Sequence, residues 1–199
     1  MADPHLEEDI QKKLIQCDRM IPEGNHCIIP FICAAAVPHG RLFHKDLESN
    51  LTVSDTFIAL VNYNDTNCFA LTMMKFSLER SGCARETIQE LCDACRKAGS
   101  RKYPEYDLQV FEKEPFFEKF RFHKMLVEVS DALTGDERRR MINLGSAFIE
   151  RNLTHTDSLL IHFLRLLQGD VIGPGKVSKI KQWLKAIQRQ DIISTIIDG

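Results

Sequence analysis

DSLLIHFLRLLQGDVIGPGKVSKIKQWLKAIQRQDIISTII, residues 157–197, is the stretch whose reading decides the fold. Leu159, Leu160, Phe163, Leu164 and Leu167 recur at helical spacing and leave His162, Arg165 and Gln168 for the opposite face, which predicts an amphipathic helix of about three turns. Gly169-Asp170 stops it. Gly173-Pro174-Gly175 breaks the backbone again, after which Val177, Ile180, Leu184 and Ile187 lay an apolar stripe on a second helix whose outer face carries Lys176, Lys179, Lys181 and Lys185. The short loop between them predicts an antiparallel pair. Arg189-Gln190-Asp191-Ile192 follows, and the spacing of Ile192, Ile193, Ile196 and Ile197 predicts a last short helix.

Working outward, Phe120, Phe122, Met125, Leu126, Val129 and Leu133 predict a helix, Thr134-Gly135-Asp136 caps the next one, and Met141, Ile142, Leu144 and Phe148 form its apolar side. The first half repeats this texture. Asp3-Pro4 starts a helix with Glu7, Glu8 and Asp9 at its positive end and Ile10, Leu14 and Cys17 as its stripe, closed by Ile21-Pro22-Glu23-Gly24. IIPFICAAAVPHG predicts a very apolar second helix, regular from about residue 30 to 37 because proline is tolerated in a first turn. Phe57, Leu60 and Val61 give another helix, 62–67 a loop, 68–78 a further helix and 86–97 a polar-faced closing one. Only 99–106 has linker composition, with Pro115 a further break, yet FEKEPFFEKF carries aromatics that a flexible tether would not need. The expectation is an all-α chain of two packed bundles, 1–98 and 116–199, joined by a connector over 99–115.

Arg189-x-Asp191-Ile192 after two amphipathic helices resembles the Arg-x-Asp-Leu ending of a death effector domain. The resemblance covers all of the second half. It implies a surface charge triad of Glu137, Arg189 and Asp191, and it implies two six-helix death-fold bundles in tandem. Phe31-Ile32 is similar to the Phe-Leu pair that such domains carry on their second helix as an apolar contact patch, while in the second half that pair falls on Asn143-Leu144 and is weakened. The triad degrades in the first half instead. Its acidic position falls on Asn25, and Arg80-x-Gly82-Cys83 stands where Arg-x-Asp-Leu is expected, so no charge triad forms there.

Composition bounds what the chain does. Ten Gly and seven Pro in 199 residues, with 44% hydrophobic residues, describe a folded globular protein and not a low-complexity one. No apolar run approaches the roughly 18–20 residues of a membrane span, and none of the N-terminal residues build a secretory signal. Residues 1–115 hold 13 basic and 18 acidic side chains and residues 116–199 hold 13 and 10, an asymmetry that suits self-association or a protein partner and falls short of the basic excess nucleic acid demands. Lys179 and Lys185 are then a solvated face or the basic half of such a contact.

All seven cysteines lie in the first half, an odd number that reads as reduced thiols in the cytosol or nucleus, with the cytoplasm expected. Cys92-x-x-Cys95 has no second pair to close a zinc site, and the sequons at Asn50, Asn64 and Asn152 are chance matches. No Gly-rich phosphate loop, HExxH or GxSxG is present, the seven His are scattered, and His155 beside Asp157 makes a poor dyad. The expectation is a non-enzyme without cofactor or metal. In initiator caspases two death effector domains precede a protease with a Gln-Ala-Cys-x-Gly setting, which is not found here. The resemblance therefore implies partners among death effector domain proteins, the death-receptor adaptor and the initiator procaspase, with Glu137, Arg189, Asp191, Phe31, Ile32, Leu144, Lys179 and Lys185 as contact residues. It leaves three functions open: an inhibitor resembling FLICE-like inhibitory proteins, an excised prodomain that promotes assembly, or an unrelated helical scaffold.

Overall fold

The computed structural model describes residues 4–36, 51–62, 69–99, 103, 108–149 and 158–199. Among them the secondary structure is helical, with one isolated bridge between Gly173 and Lys176 and no strand. The chain divides into two compact units, Met1–Phe117 and Glu118–Gly199. Asn50, Asn64, Asn152, Cys68, His155 and Asp157 lie outside the described residues.

In the first unit α1 (Pro4–Met20) places Glu7 in its first turn and Arg19 in its last, each at the favourable end of the helix dipole, and buries Ile10, Leu14 and Cys17 along one stripe. α2 (Ile28–Cys33) is buried throughout. It starts earlier than the sequence predicts, because the Phe31 N–H already bonds the Cys27 carbonyl and Pro30, sitting in the first turn, has no N–H to leave unpaired. It also ends earlier, giving way to a turn at 34–36. α3 (Val53–Asn62) is capped by Thr52 and Asp55, which exchange backbone and side-chain hydrogen bonds of 3.1 and 3.2 Å. α4 (Ala70–Ser81) stops at Gly82, whose φ of 84° is the left-handed conformation that glycine adopts without a Cβ clash. α5 (Arg85–Ala98) packs along α1, with Lys13 Nζ 2.7 Å from Glu90 Oε2 across the pair. α2 packs on α3 and α4.

Part of the expected connector belongs to this first core. Tyr103 is buried and stacks on Phe57 at 5.8 Å between ring centroids. Phe111, at the end of the short α6 (Leu108–Phe111), is 1% exposed among the rings of Phe69, Phe116 and Phe117, at 5.5–5.6 Å. Aromatic burial of this size outweighs linker composition in deciding where a segment sits.

The second unit contains α7 (Phe117–Asp131), α8 (Gly135–Gly145) with a 3₁₀ turn at Ser146–Phe148, α9 (Leu159–Gln168), α10 (Ser178–Ala186) and α11 (Gln190–Ile192), which continues as a π turn over Ile193–Ile197. α8 packs on both α9 and α10, so the close contacts of the last two long helices run through α8 and not along one another as the short loop suggested. α9 is buried nearly all round: Leu159, Leu160, Phe163, Leu164, Leu166 and Leu167 are joined inside by His162, at 0% exposure. The expectation of His162 on an outer polar face is therefore wrong. Neither of its ring nitrogens has a hydrogen-bond partner. Gly145 explains the fit, since a Cβ there would lie 2.4 Å from His162 Nε2. The imidazole occupies the space that the missing side chain leaves.

α9 stops at Gly169-Asp170, where the sequence predicts. Gly169 keeps a negative φ and Asp170 takes the left-handed one at 55°, with the Asp170 and Val171 N–H groups bonding Leu167 and Leu166 carbonyls. α10 ends in the same way, with Gln188 at φ 65° and the Gln188 and Arg189 N–H groups on Lys185 and Leu184. These are Schellman turns built without glycine at the left-handed position.

Candidate protein-interaction site

Two helix ends build the site. At the start of α8, the Thr134 hydroxyl accepts from the Glu137 N–H at 3.4 Å while Glu137 Oε2 accepts from the Thr134 N–H at 2.8 Å, a reciprocal capping box that fixes the carboxylate against the helix N-terminus. At the end of α10, the left-handed Gln188 turns the chain so that Arg189 points back to the same place. Arg189 Nη1 donates to Glu137 Oε2 at 3.0 Å and to the Ala132 carbonyl at 2.9 Å. On its other edge Nε and Nη2 grip the Asp191 carboxylate at 2.8–3.2 Å. The structure thus brings together Glu137, Arg189 and Asp191, the first two separated by 52 positions in sequence.

Burial in the group is graded. The Arg189 and Glu137 side chains are 22% and 20% exposed, whereas Asp191 is 60% exposed. The inner pair holds the end of α7, the cap of α8 and the end of α10 in register, and the outer carboxylate faces solvent. The Thr134 backbone N–H, helped by Arg189, holds the Glu137 carboxyl below the usual carboxylate range, and the Arg189 guanidinium does the same for Asp191. Bonding to Asp191, joined by the field of Glu137, raises Arg189 further above its ordinary value. Two carboxylates around one guanidinium leave a net negative, oriented charge at the surface, suited to a cationic partner group.

A second feature lies on α8 and α10. Leu144 and Phe148 are 37% and 44% exposed, Lys179 Nζ stands 4.3 Å over the Phe148 ring, and Trp183 packs against the same ring at 6.0 Å from beneath a buried position. Phe148 thus supplies the aromatic that Asn143 lacks. Sequence reading placed Phe148 in an apolar stripe and passed over Trp183; the signal available was the Phe148 spacing four residues after Leu144. Lys185 is exposed on the last turn of α10, while Lys176 pairs with Asp170 at 2.5 Å and Lys181 pairs with Asp198.

Phe31 and Ile32 are elsewhere and otherwise disposed. They are 1% and 0% exposed, so the expected contact patch of the first unit is core and offers an outside partner nothing to touch. The physical reason is that α2 packs on both α3 and α4 and all six of its residues are buried, leaving no outer face. In the first unit Asn25 donates to the Ser81 carbonyl at 3.1 Å, a neutral tie between the turn after α1 and the end of α4. Among the described residues no three His, Cys, Asp or Glu side chains are grouped to hold a metal ion, and no helix is long and apolar enough to cross a membrane. Cys92 and Cys95 are buried on α5. No family model, no curated protein and no solved structure matches the chain.

Proposed function

We propose that this chain is a non-catalytic tandem death effector domain protein of the cytoplasm that joins the death-receptor signalling assembly and blocks activation of the initiator caspase. One observation carries the reading: the motif-derived set Glu137, Arg189 and Asp191, distant in sequence, meets in a single hydrogen-bonded group at the surface of an all-helical unit. The mechanism is occupancy. The triad, with Leu144, Phe148 and Lys179 as an apolar and cationic contact on the same unit, engages the adaptor or the procaspase and occupies a place in the assembly.

The test is a reconstitution of procaspase activation on the receptor-adaptor scaffold with this protein titrated in. Dose-dependent loss of caspase processing is expected. A rise in processing would replace inhibition by the prodomain-like, assembly-promoting role, and absence of binding to the adaptor and the procaspase would leave an unrelated helical scaffold.

A further inference from the structure

The first unit contains a set of thiols that the interaction site does not use. Cys17, on the inner face of α1, and Cys83, in the turn between α4 and α5, are 66 positions apart in sequence, yet the Cys83 thiol donates to the Cys17 carbonyl at 3.8 Å. Cys17 Sγ also reaches the Thr87 carbonyl of α5 at 4.0 Å, so three segments meet there. Cys17 and Cys83 stand as free thiols. We infer that Cys17 and Cys83 form an oxidant-responsive dithiol, a modification site at which a hydroperoxide closes a disulfide between the end of α1 and the turn that enters α5.

Geometry separates the two roles. Cys83 is 7% exposed and Cys17 0%, so a small uncharged oxidant meets Cys83 first. Cys83 immediately precedes Ala84, the N-cap of the 14-residue α5, and its sulfur accepts from the Cys17 thiol and the Ala84 N–H, which together hold it below the ordinary thiol range. Burial instead pushes Cys33 and Cys95 up to about 12. The thiolate, not the thiol, is the nucleophile, so oxidation is directed to one sulfur of the cluster.

The chemistry closes without further reagents. The Cys83 thiolate attacks one peroxide oxygen; an S–O bond forms, the O–O bond breaks, and the leaving hydroxide takes up a proton as water, giving the sulfenic acid. Cys17 Sγ then attacks the Cys83 sulfur; the S–S bond forms, the S–O bond breaks, and the departing hydroxide takes the Cys17 proton as a second water. Two thiols are oxidised and one peroxide is reduced. Because Cys17 is in contact, the sulfenic acid is resolved before further oxidation, and the bond closes a long loop that is already folded.

The experiment is graded hydrogen peroxide on the full chain, followed by alkylation under denaturing conditions and peptide mass mapping. Two of the seven thiols are expected to be lost, as a Cys17–Cys83 linked peptide that dithiothreitol reverses, with the thermal midpoint of the oxidised chain raised by about 5–10 °C. Cys17→Ala should leave a Cys83 sulfenic acid that dimedone traps, and Cys83→Ser should abolish the linked peptide. The inference fails if the wild-type chain yields no Cys17–Cys83 peptide, if its disulfides form between chains or at Cys27, or if Cys83→Ser loses two thiols as fast as the wild type; the first of these needs no variant to fold.

Discussion

The two units fasten their helix ends with opposite chemistry. In the first, Asn25 ties to the Ser81 backbone, Gly82 turns the chain at φ 84°, and Cys83 enters the core against Cys17. In the second, Arg189 donates to both Glu137 and Asp191, and Ile192 is buried directly after them. A neutral closure needs only local geometry and offers nothing to a partner. A charged closure is bound internally along one edge and presents a carboxylate along the other. The difference teaches that helix ends can be fastened by a neutral backbone tie in one unit and by an ion-paired group in the other. The terminal helices differ too, 14 residues of α5 packed along α1 against three residues of α11 and a five-residue π turn.

The comparison can be broken most strongly at Gly145. Alanine normally favours a helix over glycine, yet here its Cβ would strike the His162 ring, so Gly145→Ala should destabilise the second unit by about 2–3 kcal/mol. The single tryptophan, buried Trp183, reports on that unit alone, and its denaturant-induced fluorescence change measures the loss. A neutral or stabilising Gly145→Ala would show that α8 and α9 are not held this closely.

Acid separates the units next. Burial, with the nearby Arg165 charge, lowers His162 to about 4 in the folded chain against an ordinary value of 6.5. The unfolded chain therefore takes up the proton first, and stability that is complete above pH 6.5 is lost as pH falls toward 4, on the order of 1–2 kcal/mol by pH 5. Glu137 and Asp191, both depressed, add a loss in the same direction at still lower pH, once the ordinary carboxylate range is entered. Trp183 fluorescence across pH 7 to 4.5 should show the His162 part, and His162→Leu should flatten it.

Recognition is tested by removing the charged closure. Arg189→Ala with Asp191→Ala should weaken binding to the adaptor or procaspase by roughly tenfold, about 1.4 kcal/mol, with the helical circular dichroism intact. Asp191→Asn sharpens this, because it keeps the shape and removes the exposed charge. Unchanged binding in a titration would leave the triad a fastening only. The smallest effect is expected at Gln188→Gly, where relief of a left-handed φ should stabilise the second unit by about 0.5–1 kcal/mol in the same fluorescence assay.

Much of the molecule is legible in residues alone. Apolar spacing marks α1, α9 and α10, because a helix that buries one face must repeat its apolar side chains with the helical period. The Thr134-Gly135-Asp136 cap is readable because caps use few residue types at fixed offsets, whereas Glu137, Arg189 and Asp191 are grouped in the sequence only through the resemblance to a death effector domain. Periodicity does not tell which neighbour covers a face. His162 reads as outward until a glycine 17 positions earlier is found beside it, Phe31 and Ile32 read as a patch until α2 is found buried against α3 and α4, and Phe148 gains Lys179 and Trp183 only when α8 meets α10.

Sequence by itself therefore determined the helical class and the caps, since these depend on side chains within a few turns, while the charge triad entered only as what the resemblance to a death effector domain implies. Tertiary structure alone decided which side chains are inside, which thiol faces which, and where the residues of 103 and 111 belong. Burial and thiol contact arise between segments tens of residues apart, and no local spacing encodes the distance between them.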